Sequence, residues 1–438
     1  MSVKAFSSLL ATLLALPVLG LVASGFAQEK KKTFYNDFHL PPHDYYKVAA
    51  TDRVTRLKAL HEKGGIKIEW DTDQEMVEAF CKALDVPIES QVLVFSRTGL
   101  QRRITGPENP RALYFSDDVY FGYVPGGFLE IISIDPKLGG IFFLADPRNP
   151  EHKFEFLRQE ERCLGCHGGN QGDFLPALML RSTHVGKDGR SLGAATTFLP
   201  SHRIPFDTRW GGWFVTGQHG INHLGNAFAV RADGGVRNPP APKPMTALDR
   251  FFDEKLFPVQ GSDVVALLVH DHQIGAHNLL MNVHYRVRSE LDYHDLDSPE
   301  GRAIPLSEGG LEMAQKQADL LARYFLFIDA PDLEGGVQDS RESFRSVFTD
   351  LARRDADGRS LRQFNLKSRI FEYRCSYLIH SEAFLQLPLQ FREVFWARLK
   401  KILRAREAPG DYAKLDLVER TAIYEILKAT HVNLPAGW

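Results

Sequence analysis

Cysteine is scarce in this chain: four in 438 residues. That is too few for a disulfide scaffold, which excludes the small secreted class in which bridges replace a core. An excess of either charge is also missing. The 53 Lys and Arg nearly balance the 55 Asp and Glu, and the formal net charge is -2. Nothing in that balance points to nucleic acid or to an acidic partner. No internal repeat and no low-complexity tract stands out. No nucleophile triad, phosphate loop or zinc constellation rises above chance. Asp117-Asp118 is a paired carboxylate, but it lies in a turn and reads as solvated. Near the N-terminus there is neither a twin arginine nor a lipoprotein cysteine.

The composition that is present, 44% hydrophobic and 25% charged, suits an ordinary globular core. The length suits two or three domains, or one elaborated domain. Residues 1–27 carry Lys4 and then a long apolar run ending in Ser24-Gly25-Phe26-Ala27. The polar stretch Gln28-Glu29-Lys30-Lys31-Lys32 follows. This reads as a secretory signal peptide cut after Ala27. The competing reading is an uncleaved membrane anchor, since the run approaches the length of a span.

Two of the four cysteines stand together in Cys163-Leu164-Gly165-Cys166-His167. Cys-x-x-Cys-His is the attachment sequence for c-type haem. Each sulfur at that spacing can form a thioether to a haem vinyl group, and His167 can supply the proximal nitrogen to iron. Its other ring nitrogen is expected to donate to a backbone carbonyl. A redox dithiol or a zinc site is the alternative for the Cys pair. A zinc site, however, wants a second Cys or His pair, and Cys81 and Cys375 sit far apart and alone. Those two can pair with each other or remain buried thiols. Haem c is attached after export, so motif and signal point to one exported compartment, the periplasm in a bacterium.

The fold class expected is α+β, with a β-meander, then the haem segment, then a mainly helical part. Residues 28 to about 50 read as an extended arm, and Asp73 to Leu84 as a short helix. Short apolar runs at 92–95, 112–115, 119–123, 129–134 and 140–144 read as strands, the last four separated by tight turns. Residues 154–157 are a candidate further edge strand. Helical spacing recurs near 262–288, 309–327, 341–355, 389–405 and 414–429. The expected division is 1–27 signal, 28–150 arm and β-rich region, 151–240 haem region and 241–438 helical region.

Several segments together resemble the exported cytochrome c domain-containing protein family. They are Glu89 to Ser96, Asn109 to Phe115 through Pro125-Gly126-Gly127, Cys163 to His167, Arg209 to Gly217, and Arg374 to Ile379. The resemblance covers most of the mature chain and implies a single covalent haem c. It implies no assigned reaction. One departure stands out. Some relatives carry His-Met-Gly-Asn where this chain has His223-Leu224-Gly225-Asn226, so that place cannot supply a Met ligand.

The sixth ligand decides what the iron can do. The candidates are His219, His223, His202 and Met179. His219 lies between Gly217 and Gly220, which permit close backbone approach. Met179 has apolar neighbours and reads first as core. His270, His277 and His284 recur every seven residues, about 10 Å apart along a helix, so two of them cannot chelate one metal. Their stripe reads first as a helix–helix contact. Trp210, Trp213 and Arg209 can meet the haem edge, and Arg158, Arg162 and Arg181 can pair with propionates. The function expected is one-electron transfer with a redox partner protein. The rivals are a peroxidase-like haem enzyme with an open distal site and a redox or gas sensor module.

Overall fold

The computed structural model describes residues 34–146, 156–193, 201–233, 235–237, 243–294 and 305–438. Asp52 opens the first helix, α1 (Arg53–Glu62), by accepting the backbone N–H groups of Val54 and Thr55. Thr72 and Glu75 form a reciprocal capping box that starts α2 (Asp73–Ala83). Met76, Val77 and Phe80 recur on one side of α2 and are buried.

Those side chains need an apolar surface, and a six-stranded antiparallel sheet supplies it. The strands are β1 (Val92–Val94), β2 (Arg111–Phe115), β3 (Val119–Tyr123), β4 (Leu129–Asp135), β5 (Gly139–Ala145) and β6 (Leu157–Arg158), in sequence order. The expected meander forms the middle of the sheet, and β1 and β6 extend it on either side. The candidate edge at 154–157 is realised as β6, with 154 and 155 outside the described residues.

Alternation sorts the two faces. Tyr114, Phe121, Ile131 and Phe143 are cross-strand neighbours and pack with α2 in one core cluster. Leu113, Gly122, Glu130 and Leu144 are neighbours on the opposite face, as are Phe115, Tyr120, Ile132 and Phe142. Phe115 and Tyr120 join the second and larger cluster, built on the helical part.

After β6 the chain turns into the short helix α3 (Glu160–His167). Two small ribbons follow, β7 (Gly217–His219) and β8 (Val230–Ala232) with β9 (Gly235–Arg237). The helical part contains α4 (Val264–Tyr293), α5 (Glu308–Phe325), α6 (Glu342–Asp350), α7 (Glu382–Leu385), α8 (Leu389–Arg404) and α9 (Leu417–Thr430). β10 (Val337–Asp339) lies between α5 and α6 and pairs with β7. The architecture is therefore α+β.

α4 runs for 30 residues and is buried on nearly every side. Asp263 sets its start. One carboxylate oxygen accepts from Val265 and Ala266, and the other from Ser340 N and Oγ. The helix expected over 341–355 ends early because the Asp355 carboxylate accepts from Asp357 and Arg359, closing a turn of its own.

Residues Thr33–Trp438 cluster as one compact unit, and the boundaries expected near 150 and 240 fall inside it. The arm is a correction. From Phe34 to Val48 it is a succession of turns, with Asp37, Leu40 and His43 each donating back three residues. Tyr45 is fully buried and its hydroxyl donates to Gly140 O. Cys81 and Cys375 are buried and unpaired. Among the described residues no helix is long and apolar enough to cross a membrane. The expected signal segment, 1–27, lies outside them.

Candidate functional site

α3 carries Cys163, Cys166 and His167. Cys163 and Cys166 are three residues apart, so they share a helix face. Both are free; Cys163 is half-buried and Cys166 exposed. Burial, with Glu130 and Cys166 nearby, pushes the Cys163 thiol up to about 11. A redox dithiol or thiolate metal site wants the opposite shift.

His167 closes the helix, and its ring is fixed. Nδ1 lies 2.8 Å from Ala177 O. A carbonyl oxygen can only accept, so Nδ1 holds the ring proton and donates it. Nε2 is left with the lone pair that a metal requires. Ala177 N donates back to His167 O at 3.0 Å. Burial lowers the imidazole's affinity for a second proton, against an opposing effect of the Ala177 hydrogen bond. The neutral ring is the form that ligates.

Ala177 is itself held from two sides. Gly140 N, on the sheet, donates to Pro176 O at 3.0 Å. From α4, Asn278 accepts from Leu178 N (2.9 Å) and donates to Leu178 O (3.0 Å). The clamp on His167 is thus anchored to β5 and α4 together. Phe142 of β5 packs against the His167 ring, with centroids 4.7 Å apart.

The sheet face beside His167 differs from its buried opposite. Leu113 and Ile132 are half-exposed, as is Leu180 from the loop after α3. Gly122 lies between Leu113 and Glu130 and adds no side chain; a Cβ there would press on Leu113 Cδ2 at 3.2 Å. Arg111 and Glu130 form a half-buried ion pair at 2.9 Å on this face. Both act electrostatically on His167, as does Arg181. Two thiols on one helix face, an imidazole whose Nε2 keeps its lone pair and a half-exposed apolar surface on the sheet fit a covalent haem c. Cys163, Cys166 and His167 would hold it.

The other expected site residues are distributed as follows. Met179 is half-buried, two residues beyond Ala177. His219 and His223 are brought to each other, Nε2 to Nε2 at 3.4 Å. His223 Nδ1 accepts from Gly225 N, so its Nε2 carries the proton and donates to His219. The His223 ring stands edge-on to Trp210, 5.2 Å between centroids. His202 is buried and meets His272, Nδ1 to Nδ1 at 2.8 Å. His270 packs on Phe115, Tyr120 and Trp213, and His277 Nε2 donates to Asp117 O. His270 thus meets the sheet and His277 the turn between β2 and β3, while His277 and His284 line a cavity that Ala383 of α7 also borders.

Among the arginines, Arg158 is engaged by Glu160 and Tyr45 O, and Arg162 is exposed. Arg181 is half-buried and lines a cavity with Leu180, Trp210 and Trp213. Its charge acts on His167. Arg209 is not a propionate candidate. It is buried and bonded to Asp271 Oδ2 (3.4 Å), which also accepts from Trp210 Nε1 (3.1 Å). Nor are the turn carboxylates simply solvated. Asp117 pairs with Arg362 and Asp118 with Arg53.

Sequence reasoning passed over Asp271 and His272. Their signal was present: a carboxylate beside a histidine inside an otherwise apolar helix needs a buried partner. Comparison with protein-family models, curated proteins and solved structures found no match to the chain.

Proposed function

We propose that this chain is an exported c-type cytochrome with one haem bound covalently by Cys163 and Cys166. It would move one electron at a time to or from a redox partner protein. The observation that carries the reading is the 2.8 Å hydrogen bond from His167 Nδ1 to Ala177 O, which orients the ring and leaves Nε2 free. The cofactor supplies a reversible one-electron couple.

The chain's own residues do the rest. Ala177, pinned to sheet and helix, prevents the His167 ring from turning. Phe142, Leu113, Ile132 and Leu180 give an apolar bed that limits water at the site. The Arg111–Glu130 pair and Arg181 set the local charge, which tunes a redox potential. Exposed Cys166 puts one tethering thiol at the surface, on the side open to a partner protein.

A second reading, a haem enzyme or sensor with an open distal position, is favoured by the mutual hydrogen bond of His219 and His223. Either would have to exchange that partner to ligate iron. Absorption spectra of the oxidised and reduced protein, with and without carbon monoxide, separate the two readings. The electron-transfer reading expects a low-spin spectrum that carbon monoxide leaves unchanged. A high-spin spectrum that shifts with carbon monoxide would replace it with the second reading. With a low-spin wild type, His219→Ala, His223→Ala and Met179→Ala locate the sixth ligand by loss of the low-spin bands.

A further inference from the structure

The walls of the cavity that Arg181 lines include Asp271 of α4. Leu180, Ile204, Trp210 and Trp213 give those walls their apolar area. Asp271 is 4% exposed, and both of its hydrogen bonds, from Arg209 Nη1 and Trp210 Nε1, end on Oδ2. Oδ1 accepts from no described residue, and it is not enclosed by protein. It is the oxygen left to face the cavity. A carboxylate oxygen so far out of water calls for a donor.

Most other polar groups of the walls are spent within the protein. Ser182 Oγ donates to Thr208 O and accepts from Gly211 N. Thr208 Oγ1 donates to Pro205 O, and Trp213 Nε1 to Arg181 O. Arg209 donates to Ile204 O and His202 O as well as to Asp271. An occupant therefore meets apolar surface, one open acceptor and the half-buried Arg181.

Charge narrows the occupant further. Arg209 and Asp271 offset one another, and Arg181 adds a positive charge. A cation would be repelled by Arg181, and an anion would set its charge against Asp271 Oδ1. A neutral molecule with an O–H group meets neither penalty. The two indoles favour a ring as its body. Trp210 is held at a φ of +62°, a conformation that bulky residues rarely adopt. Its Nε1 is fixed on Asp271, and the His223 ring stands edge-on to it. These contacts keep the indole in the wall beside the open carboxylate oxygen.

We propose that this cavity binds a neutral molecule of phenol type, a single ring whose hydroxyl donates to Asp271 Oδ1. Leu180 also belongs to the apolar surface assigned to the haem, so the two sites adjoin, but the binding needs no haem.

Fluorine NMR of para-fluorophenol and of para-fluoroanisole, each titrated into the full chain, tests it. The ether has the same ring and cannot donate. Saturable binding of the phenol is expected, with the ether weaker by about tenfold or more, since a hydrogen bond to a charged acceptor is missing. In Asp271→Asn the amide oxygen stays with Trp210 Nε1, so the atom facing the cavity becomes a donor. That variant should lose the preference for the phenol over the ether. Ile204→Trp, at a half-buried wall position, fills the cavity and keeps the test open if Asp271→Asn fails to fold. It should abolish saturable binding. No saturable binding of the phenol to the wild-type chain would overturn the proposal. So would equal binding of the ether, a preference that Asp271→Asn leaves intact, or binding that survives Ile204→Trp. Tighter binding of para-fluorobenzoate or para-fluorobenzylammonium would overturn it too. Binding confined to the haem-free chain would assign the cavity to the cofactor and overturn it as well.

Discussion

The Cys163→Ala, Cys166→Ala double variant is expected to carry no covalently bound haem after export, and each single variant to retain some. The two thiols lie on one face of α3, so both tethers reach the same cofactor edge, and either alone can hold it. Neither sulfur is tied up in a disulfide. His167 is placed by Ala177 rather than by the cysteines, so the ring keeps its orientation when both sulfurs are gone. The double variant should still offer Nε2, giving at most a dissociable complex. Haem staining after denaturing electrophoresis reads the difference. A stained band for the double variant would mean that attachment lies elsewhere in the chain.

Arg209→Ala is expected to cost about 3–5 kcal/mol of stability near pH 8, because it leaves Asp271 as a buried charge without its cation. Both side chains are 5% exposed or less. Burial already pushes the Asp271 carboxyl up to about 6, although Arg209 and Trp210 pull the other way. The sign of the pH dependence follows. A carboxyl with a raised folded-state pKa binds its proton more tightly in the folded protein. Its effect on stability therefore worsens as pH rises from about 4 to about 6 in the native chain, and is flat above. Removing Arg209 raises that pKa further, so the decline continues to higher pH. The variant should lose most at pH 8 and least near pH 5. Adding Asp271→Asn should recover much of the loss, since the amide oxygen can still accept from Trp210 Nε1. Urea denaturation at pH 5 and pH 8 measures both effects. A loss equal at the two pH values would show that packing, not the buried charge, sets the cost.

What was legible in the sequence depended on how local its cause was. β3 was read at its observed bounds because its five residues sit between two tight turns. α2 was read to within a residue because its cap, apolar repeat and stop signal are all within the segment. α1 went unread because only Val54 and Leu57 of its ten residues are buried. Its start depends on one aspartate. β7 and β10 are three residues each and lie more than a hundred positions apart, so no local pattern marks them.

The site divides the same way. Five consecutive residues carry the proposed haem attachment and its proposed proximal ligand. The carbonyl that holds His167 was expected in kind, but Ala177 could not be singled out. Its place is set by Gly140 and Asn278, which come from opposite sides of the fold. The pairing of His219 with His223 was equally hidden. Side chains four apart in a loop do not reveal whether they meet each other or a metal. The buried contacts of Arg209 with Asp271, and of His202 with His272, span 62 and 70 positions, and only tertiary packing brings them together.

The most direct measurement is the pyridine haemochrome spectrum of the exported wild-type chain after acid–acetone extraction. If Cys163 and Cys166 both tether the cofactor, the colour stays with the protein, at one haem per chain, with the band position of a haem bearing two thioethers. Colour that leaves with the solvent, or a chain that carries none, would contradict a covalent haem c.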